Sequence, residues 1–515
     1  MNGGLIASVN AMPFGNLVLS ILSAIICYGL LWHTNSEHYS AAFLLGGLSV
    51  WQFYCESSRL YGHKDIRDNP VVFRFGRFIW RQSEACRHWF VSGETGTGKT
   101  FFFRRVIWQL CDNVPDWGGL VLDEKGTFVE ILRGIFLNHP KKSENELVVL
   151  EVRGDQKPED WEPKMTFNFL EVPGIPYSNH AKTIVDVASS LLKKGGENPF
   201  FPQQAAIHIE WGFKCLRAID EPVTLKNCHD LLTSDTLLSE VLDLLASMDT
   251  DEAKEVRSHL QDNYLGLNEE TFKGVQSTIA GYLSYFTSPE IAEVFCPEEP
   301  STFSMSDLDH GKVVTISIPQ KFSVERKYIY TLLKLSFYNH GLQRFDRIEQ
   351  DRKEQNLLVG LFDEFQKVAT ASEAGLSDYN TADTLREAKV MIVAGTQSTQ
   401  SLVPPMGADK AKVFISNMAN RVIFKAADEE SAKMAADCLG KREVWRKSHG
   451  VSGGKHSYNK HREDRYLMQP YEFRKLLKFQ CVIQHCEQGW KKMTLPPIDL
   501  DGQTCEWWAA AKRKR

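Results

Sequence analysis

Cysteine is too sparse and too scattered in this 515-residue chain to build a framework. The 11 cysteines are odd in number and include no Cys-x-x-Cys pair. That spacing argues against disulfide staples and thiolate zinc sites, and for reduced thiols. A charge excess of one sign is missing too: 60 Lys and Arg stand against 65 Asp and Glu, a net −5. No chain-wide field therefore draws nucleic acid, and any such surface must be local. Hydrophobic residues make up 43%, ordinary for a globular body, and the length allows two or three domains.

Charge is absent altogether from Asn16–Trp32, and a second, shorter apolar run covers Ala41–Cys55. Each run is near the lower length limit for crossing a bilayer, and the pair predicts a two-helix transmembrane hairpin. A secretory signal would need a basic stretch before the first run and a small-residue cleavage site after it; neither is there. A buried core hairpin is the competing interpretation. The loop between the runs has no Lys or Arg, whereas Arg59, Lys64, Arg67, Arg74, Arg77 and Arg81 follow the second. Positive charge stays on the cytoplasmic side, so the large C-terminal body is expected there.

The stretch HWFVSGETGTGKTFFFRRVIWQL (residues 88–110) predicts a strand, a glycine-rich turn and a helix. Gly93, Glu94, Thr95, Gly96, Thr97, Gly98, Lys99 and Thr100 meet the pattern G-x-x-x-x-G-K-[ST]. Glycines let successive N–H groups curl around a phosphate. Lys99 would reach the β- and γ-phosphates of ATP, Thr100 would hold Mg2+, and the helix N-terminus adds its dipole.

Such a loop needs an acid, expected on a neighbouring strand. Two apolar runs end in Asp-Glu: one at Asp123 and Glu124, the other at Asp363 and Glu364. The later run is longer, so Asp363 is assigned to the metal and Glu364 to the attacking water. The earlier one is expected on a strand next to the P-loop strand. A third apolar run, Val390–Ala394, ends in Gly395-Thr396-Gln397, and Gln397 can sense the γ-phosphate or place the lytic water. Arg386 fits two roles: a finger reaching a neighbouring subunit's nucleotide, or a solvated helix-end residue.

The order GETGTGKT, LVLDEKG, long insert, LFDEFQ, GTQS and NRVIFKAADEESAKMAADCLG resembles the type IV secretion coupling proteins, the TraD/TraG kind of conjugative DNA-transfer ATPase. The resemblance implies an α/β fold: a RecA-like P-loop domain with an inserted all-α domain and a membrane stem. It implies a homo-hexamer at the bacterial inner membrane, partnered by DNA, the secretion channel and relaxosome proteins. By motif, Lys99 and Thr100 match the family's P-loop, Asp363 and Glu364 its acid pair, Gln397 its third motif and Arg386 its finger position. Asp123 matches a D-x-K-G strand end, although Glu124 stands where the family often has Pro. The expected division is a membrane anchor (1–58), the first part of the nucleotide-binding domain (59–178), the all-α insert (179–300), the second part (301–500) and a basic tail (501–515). Three rivals remain: a septal DNA pump of the FtsK/HerA kind with the same core chemistry, a docking receptor of a different class that recruits protein effectors with hydrolysis secondary, and a cytosolic ATPase whose apolar hairpin is not inserted.

The insert shows apolar spacing near three and four, as amphipathic helices do. Lys441–Arg465 is the most basic stretch after residue 100, with eight Lys or Arg against three Asp or Glu. Its glycines and serines predict a mobile loop or hairpin. Trp445 and Tyr458 could stack on bases there, or the segment could be only a solvated loop.

Overall fold

The computed structural model describes residues 69–172, 174–192, 199–372, 375–452 and 455–513. The expected membrane hairpin lies outside the described residues. Among those described, no helix is long and apolar enough to cross a membrane. Contacts divide the chain into Met1–Val71 and Val72–Arg515, and the central sheet and all the helices below belong to the second.

Strands β1 (Val71–Phe75) and β2 (Phe78–Arg81) pair with each other. The central sheet has nine strands. They are β3 (Trp89–Ser92), β4 (Gly118–Leu122), β5 (Leu147–Glu151), β6 (Val313–Ser317), β7 (Leu358–Phe362), β8 (Val390–Thr396), β9 (Asn420–Ile423), β12 (Gln480–His485) and β13 (Gly489–Thr494). Their order is β13-β12-β9-β3-β8-β7-β4-β6-β5. Seven run parallel, and the β12–β13 hairpin closes one edge antiparallel. Every residue of β3, β4, β7 and β8 is buried, which is why these read as unbroken apolar runs: a parallel sheet is covered on both faces.

Period-two alternation sorts the side chains into two cores. Phe90, Leu120, Leu358, Phe362, Ile392 and Ala394 face one cluster, while Val91, Val121, Val359, Leu361, Met391 and Val393 face the other. On the second face lie α1 (Lys99–Asn113) and α2 (Phe128–Asn138), through Phe102, Phe103, Ile107 and Leu132. On the first lie the helices that follow β5: α3 (Tyr177–Leu192), α4 (Phe200–Ala218), α5 (Leu225–Thr233), α6 (Asp235–Ser247), α7 (Asp251–Ser258), α8 (Glu269–Leu283) and α9 (Pro289–Phe295), then α10 (Ser323–Gln343). One cluster runs unbroken from the sheet into these helices. Four of them start on a side-chain cap: Thr224, Ser234, Thr250 and Asn268 accept from the first free N–H groups.

Two expectations about strand order are corrected. The strand ending in Asp363 is not beside β3, because β8 lies between them. The strand ending in Asp123 is not adjacent to β3 either; β8 and β7 intervene. A parallel crossover can skip strands that later chain will fill, so sequence order does not give spatial order. The basic stretch is a hairpin: β10 (Lys441–Ser452) and β11 (Lys455–Tyr466) pair only with each other. It follows α11 (Glu429–Leu439), and α12 (Glu506–Arg513) ends the described chain.

Candidate nucleotide-binding site

The P-loop leaves the C-terminal end of β3 and is sewn to both neighbouring strands. Gly93 N donates to Thr396 O at the end of β8 (3.3 Å), and Glu94 N donates to Lys425 O just after β9 (2.8 Å). Gly93, Gly96 and Gly98 have φ of 153°, 79° and 124°, angles that side chains rarely adopt. Space forbids a side chain as well: a Cβ on Gly93 would lie 2.5 Å from the Phe424 Cβ, and one on Gly98 would lie 2.9 Å from the Phe479 ring. Thr95 and Gly96 are exposed at the loop's crest, whereas Thr97 and Lys99 are buried. Thr97 Oγ1 donates to Glu94 O (2.7 Å), and the Glu94 carboxylate pairs with Lys425 (2.6 Å).

Lys99 opens α1 and folds back on the loop, its Nζ donating to Gly93 O (2.5 Å). Burial lowers its pKa, and the carboxylates of Asp363 and Glu364 act against that. Thr100, the next residue of α1, is half-buried.

Asp363 and Asp123 end two paired strands, since Leu122 lies opposite Phe362 and Asp363 N donates to Leu122 O (3.0 Å). Burial pushes the Asp363 carboxyl up to about 6; the nearby carboxylates of Asp123 and Glu364 push the same way, and Lys99 opposes them. Asp123 is already committed: its Oδ2 accepts from Thr127 N (2.6 Å) and Thr127 Oγ1 (2.7 Å). Glu364 is buried, in the left-handed region at φ 52°. It accepts from Gln397 Nε2 on Oε1 (2.9 Å) and from Gln366 Nε2 on Oε2 (2.6 Å), and Gln366 in turn accepts from Thr396 Oγ1 (3.0 Å).

Lys99, Asp363, Glu364 and Gln397 are therefore brought together at the C-terminal edge of β3, β8 and β7. Among the described residues no group of three His, Cys, Asp or Glu could hold a metal alone. Mg2+ takes one or two carboxylates and completes its shell with phosphate and water. Crowding of carboxylates around Asp363 is the kind of site a divalent cation relieves.

Arg386 is not brought to this cluster. It precedes β8, and its charge is felt by Cys86 and His88, which precede β3. That is the opposite edge of the sheet, about 20 Å away at the rise of a seven-residue strand. Half exposed, it contacts Glu387 at 3.8 Å.

Several contacts here carried no sequence signal. Phe424 and Phe479 wall the loop, and Phe479 N donates to Thr97 O (2.8 Å). The Phe479 ring meets Phe101 and the indoles of Trp507 and Trp508 on α12. Glu124 pairs with the buried Arg326 of α10 (3.2 Å) and neutralises that cation. Ser398, next to Gln397, donates to Asp428 (2.5 Å), the residue that caps α11.

The sequence profile of the type IV secretion-system coupling protein DNA-binding domain matches residues 77–495. No curated protein sequence matches the chain. Among solved structures, the unbound monoclinic form of the bacterial conjugative coupling protein TrwBdeltaN70 is similar, with a TM-score of 0.58 and 16% identity over 83% of this chain and 88% of that one. The plasmid coupling protein TrwB in complex with ADP and Mg2+ gives 0.57 at 15% identity, over 86% and 94%. TrwB in complex with a non-hydrolysable ATP analogue also gives 0.57 at 15%. At such identities the superpositions speak for the fold, an α/β P-loop architecture with a large mixed sheet. With the profile spanning most of the sequence and the P-loop, acid pair and glutamine gathered at one edge, the chain belongs to the type IV secretion-system coupling-protein family and is a P-loop ATPase.

Proposed function

We propose that this protein is a membrane-anchored ATPase that couples DNA or a nucleoprotein to a type IV secretion channel and drives its passage by hydrolysis. The observation that carries the reading is the gathering of Lys99, Asp363, Glu364 and Gln397 around one phosphate-binding loop. Lys99 exchanges its loop carbonyls for the β- and γ-phosphates. Thr100 and Asp363 would hold Mg2+, whose positive charge would offset that of the phosphoryl oxygens. Glu364 orients the attacking water. Gln397 donates to Glu364, and a γ-phosphate bound at the loop would compete for the Gln397 amide. Ser398 and Asp428 pass that change to α11 and the β10–β11 hairpin. Arg386 acts on the next subunit of a homo-hexameric ring. The division proposed is the anchor (1–58), nucleotide-binding parts (59–178 and 301–500) around the all-α insert (179–300), and the tail (501–515).

A second reading, recruitment of protein substrates with hydrolysis secondary, is favoured by one observation. A cavity of about 580 Å³ in the helical segment is lined by Leu237, Val241 and Leu244 beside Glu221, Glu240 and Glu298, a lining suited to a basic amphipathic peptide.

The test is ATP turnover by the full chain in detergent, with and without single- or double-stranded DNA, at two salt concentrations. We expect stimulation by DNA that weakens as salt rises, and no turnover by Lys99→Ala. Unaltered turnover in Lys99→Ala overturns the ATPase site. Turnover indifferent to DNA at both salts favours the recruiting reading.

A further inference from the structure

Among the described residues the β10–β11 hairpin has no third strand, and it pairs over 12 positions, roughly 40 Å at the rise of a strand. Directly paired residues of an antiparallel ladder share a face. Lys441, Glu443, Trp445 and Lys447 therefore share one face with Tyr466, Asp464, Arg462 and Lys460. That face carries four cations and two carboxylates. Trp445 opposes Arg462, whose guanidinium lies 4.8 Å from the indole centroid, and Lys460 Nζ lies 4.6 Å from it. The ring is nevertheless 57% exposed. Glu443 pairs with Arg462 (3.2 Å) and fixes that cation beside the indole.

Only the root of this face meets the body, where Tyr466 packs beside α11; farther out, the Trp445 ring is covered only in part, by Lys460 and Arg462 of its own hairpin. An indole among cations matches one chemistry closely: a base with a free π-face, and phosphates either side of it. A duplex keeps its base faces stacked internally and offers only edges, so an indole gains nothing from it.

We propose that Trp445, with Lys447, Lys460 and Arg462 around it, is a stacking site for an unpaired base of single-stranded nucleic acid. The site rests on the DNA-coupling reading and adds strandedness and a named contact to it. Trp445 is four residues out from the root of the hairpin. There Tyr466 Oη donates to Asp437 of α11 (2.9 Å) and Leu467 N donates to Gly440 O (3.0 Å). The base is thus held close to the helix that Asp428 caps, not at the hairpin's far tip.

The experiment compares three ligands of equal phosphate count on the full chain in detergent: oligo-dT, an abasic strand and a duplex. Fluorescence anisotropy of the labelled ligand reads affinity. The wild type should bind oligo-dT more tightly than the abasic strand. Trp445→Ala should lose about tenfold on oligo-dT and leave the abasic strand unchanged, the scale of one base–aromatic stack. Trp445→Phe should recover part of the loss, and Lys460→Ala should weaken oligo-dT and the abasic strand alike. ATP affinity unchanged in each variant controls for folding. If the wild type prefers oligo-dT and Trp445→Ala does too, the stacking site is wrong while the coupling reading stands. A wild type that prefers the duplex also overturns the stacking site. If no nucleic acid binds, or anionic lipid vesicles bind instead, both fall.

Discussion

Burial among Asp123 and Glu364 leaves Asp363 ionised at neutral pH only against its surroundings. The sign follows from linkage. Between about 4, the ordinary range, and about 6, the folded protein binds a proton that the unfolded chain has lost. Stability therefore falls as pH rises through that window, by up to about 3 kcal/mol, and stays low above it. Asp363→Asn should raise the metal-free melting temperature at pH 7.5, show little gain at pH 4, and abolish hydrolysis. Thermal unfolding at the two pH values, with turnover on the same samples, checks this; equal gains at both would contradict it. The residues in that cluster are readable from local words: GETGTGKT, an apolar run ending in Asp-Glu, another ending in Gly-Thr-Gln. Phe424, Phe479 and Lys425 are not, because each meets the P-loop from more than three hundred residues downstream, and no local pattern encodes such a meeting.

At the scale of elements, α11 is the piece with two attachments. Its cap, Asp428, accepts from Ser431 N (2.7 Å) and from Ser398 Oγ (2.5 Å), and its far end carries the basic hairpin. Asp428→Ala should lower stability by about 1 kcal/mol through the lost cap. It should also flatten the stimulation of turnover by single-stranded DNA while basal turnover persists. Ser398→Ala keeps the helix cap and should show the second effect without most of the first. Denaturant melts paired with stimulation curves separate them; full stimulation in both variants would disconnect the hairpin from the site. Strands β4, β7 and β8 were readable as buried apolar runs, and the helices of the insert as amphipathic stretches. Strand order was not. Spatial neighbours depend on which crossovers skip a place, and hydrophobic periodicity is silent about that. The hairpin was equally ambiguous, since the same Gly and Ser residues suit a loop.

At the scale of the whole molecule, the P-loop cluster and Arg386 lie at opposite edges of the sheet. Within one chain they do not meet, so any catalytic part for Arg386 is played on a second copy. Arg386→Ala and Lys99→Ala should each be inactive alone, and mixing the two should restore part of the turnover, because some interfaces then pair an intact loop with an intact arginine. No recovery on mixing, or an active Arg386→Ala, would assign Arg386 to its ordinary place at a helix end.

The register of β3 bears on how the protein is made. Its two partners, β8 and β9, pair through Val393 and Asn420 with Trp89, some three hundred residues later in the chain. A ribosome adding roughly 5–20 residues per second needs on the order of tens of seconds to supply them. Throughout that interval the apolar strand and the helix behind it have no finished place to settle. A chain that ends before β7 lacks Asp363, Glu364 and Gln397, so nothing can gather beside Lys99 until that stretch has been made.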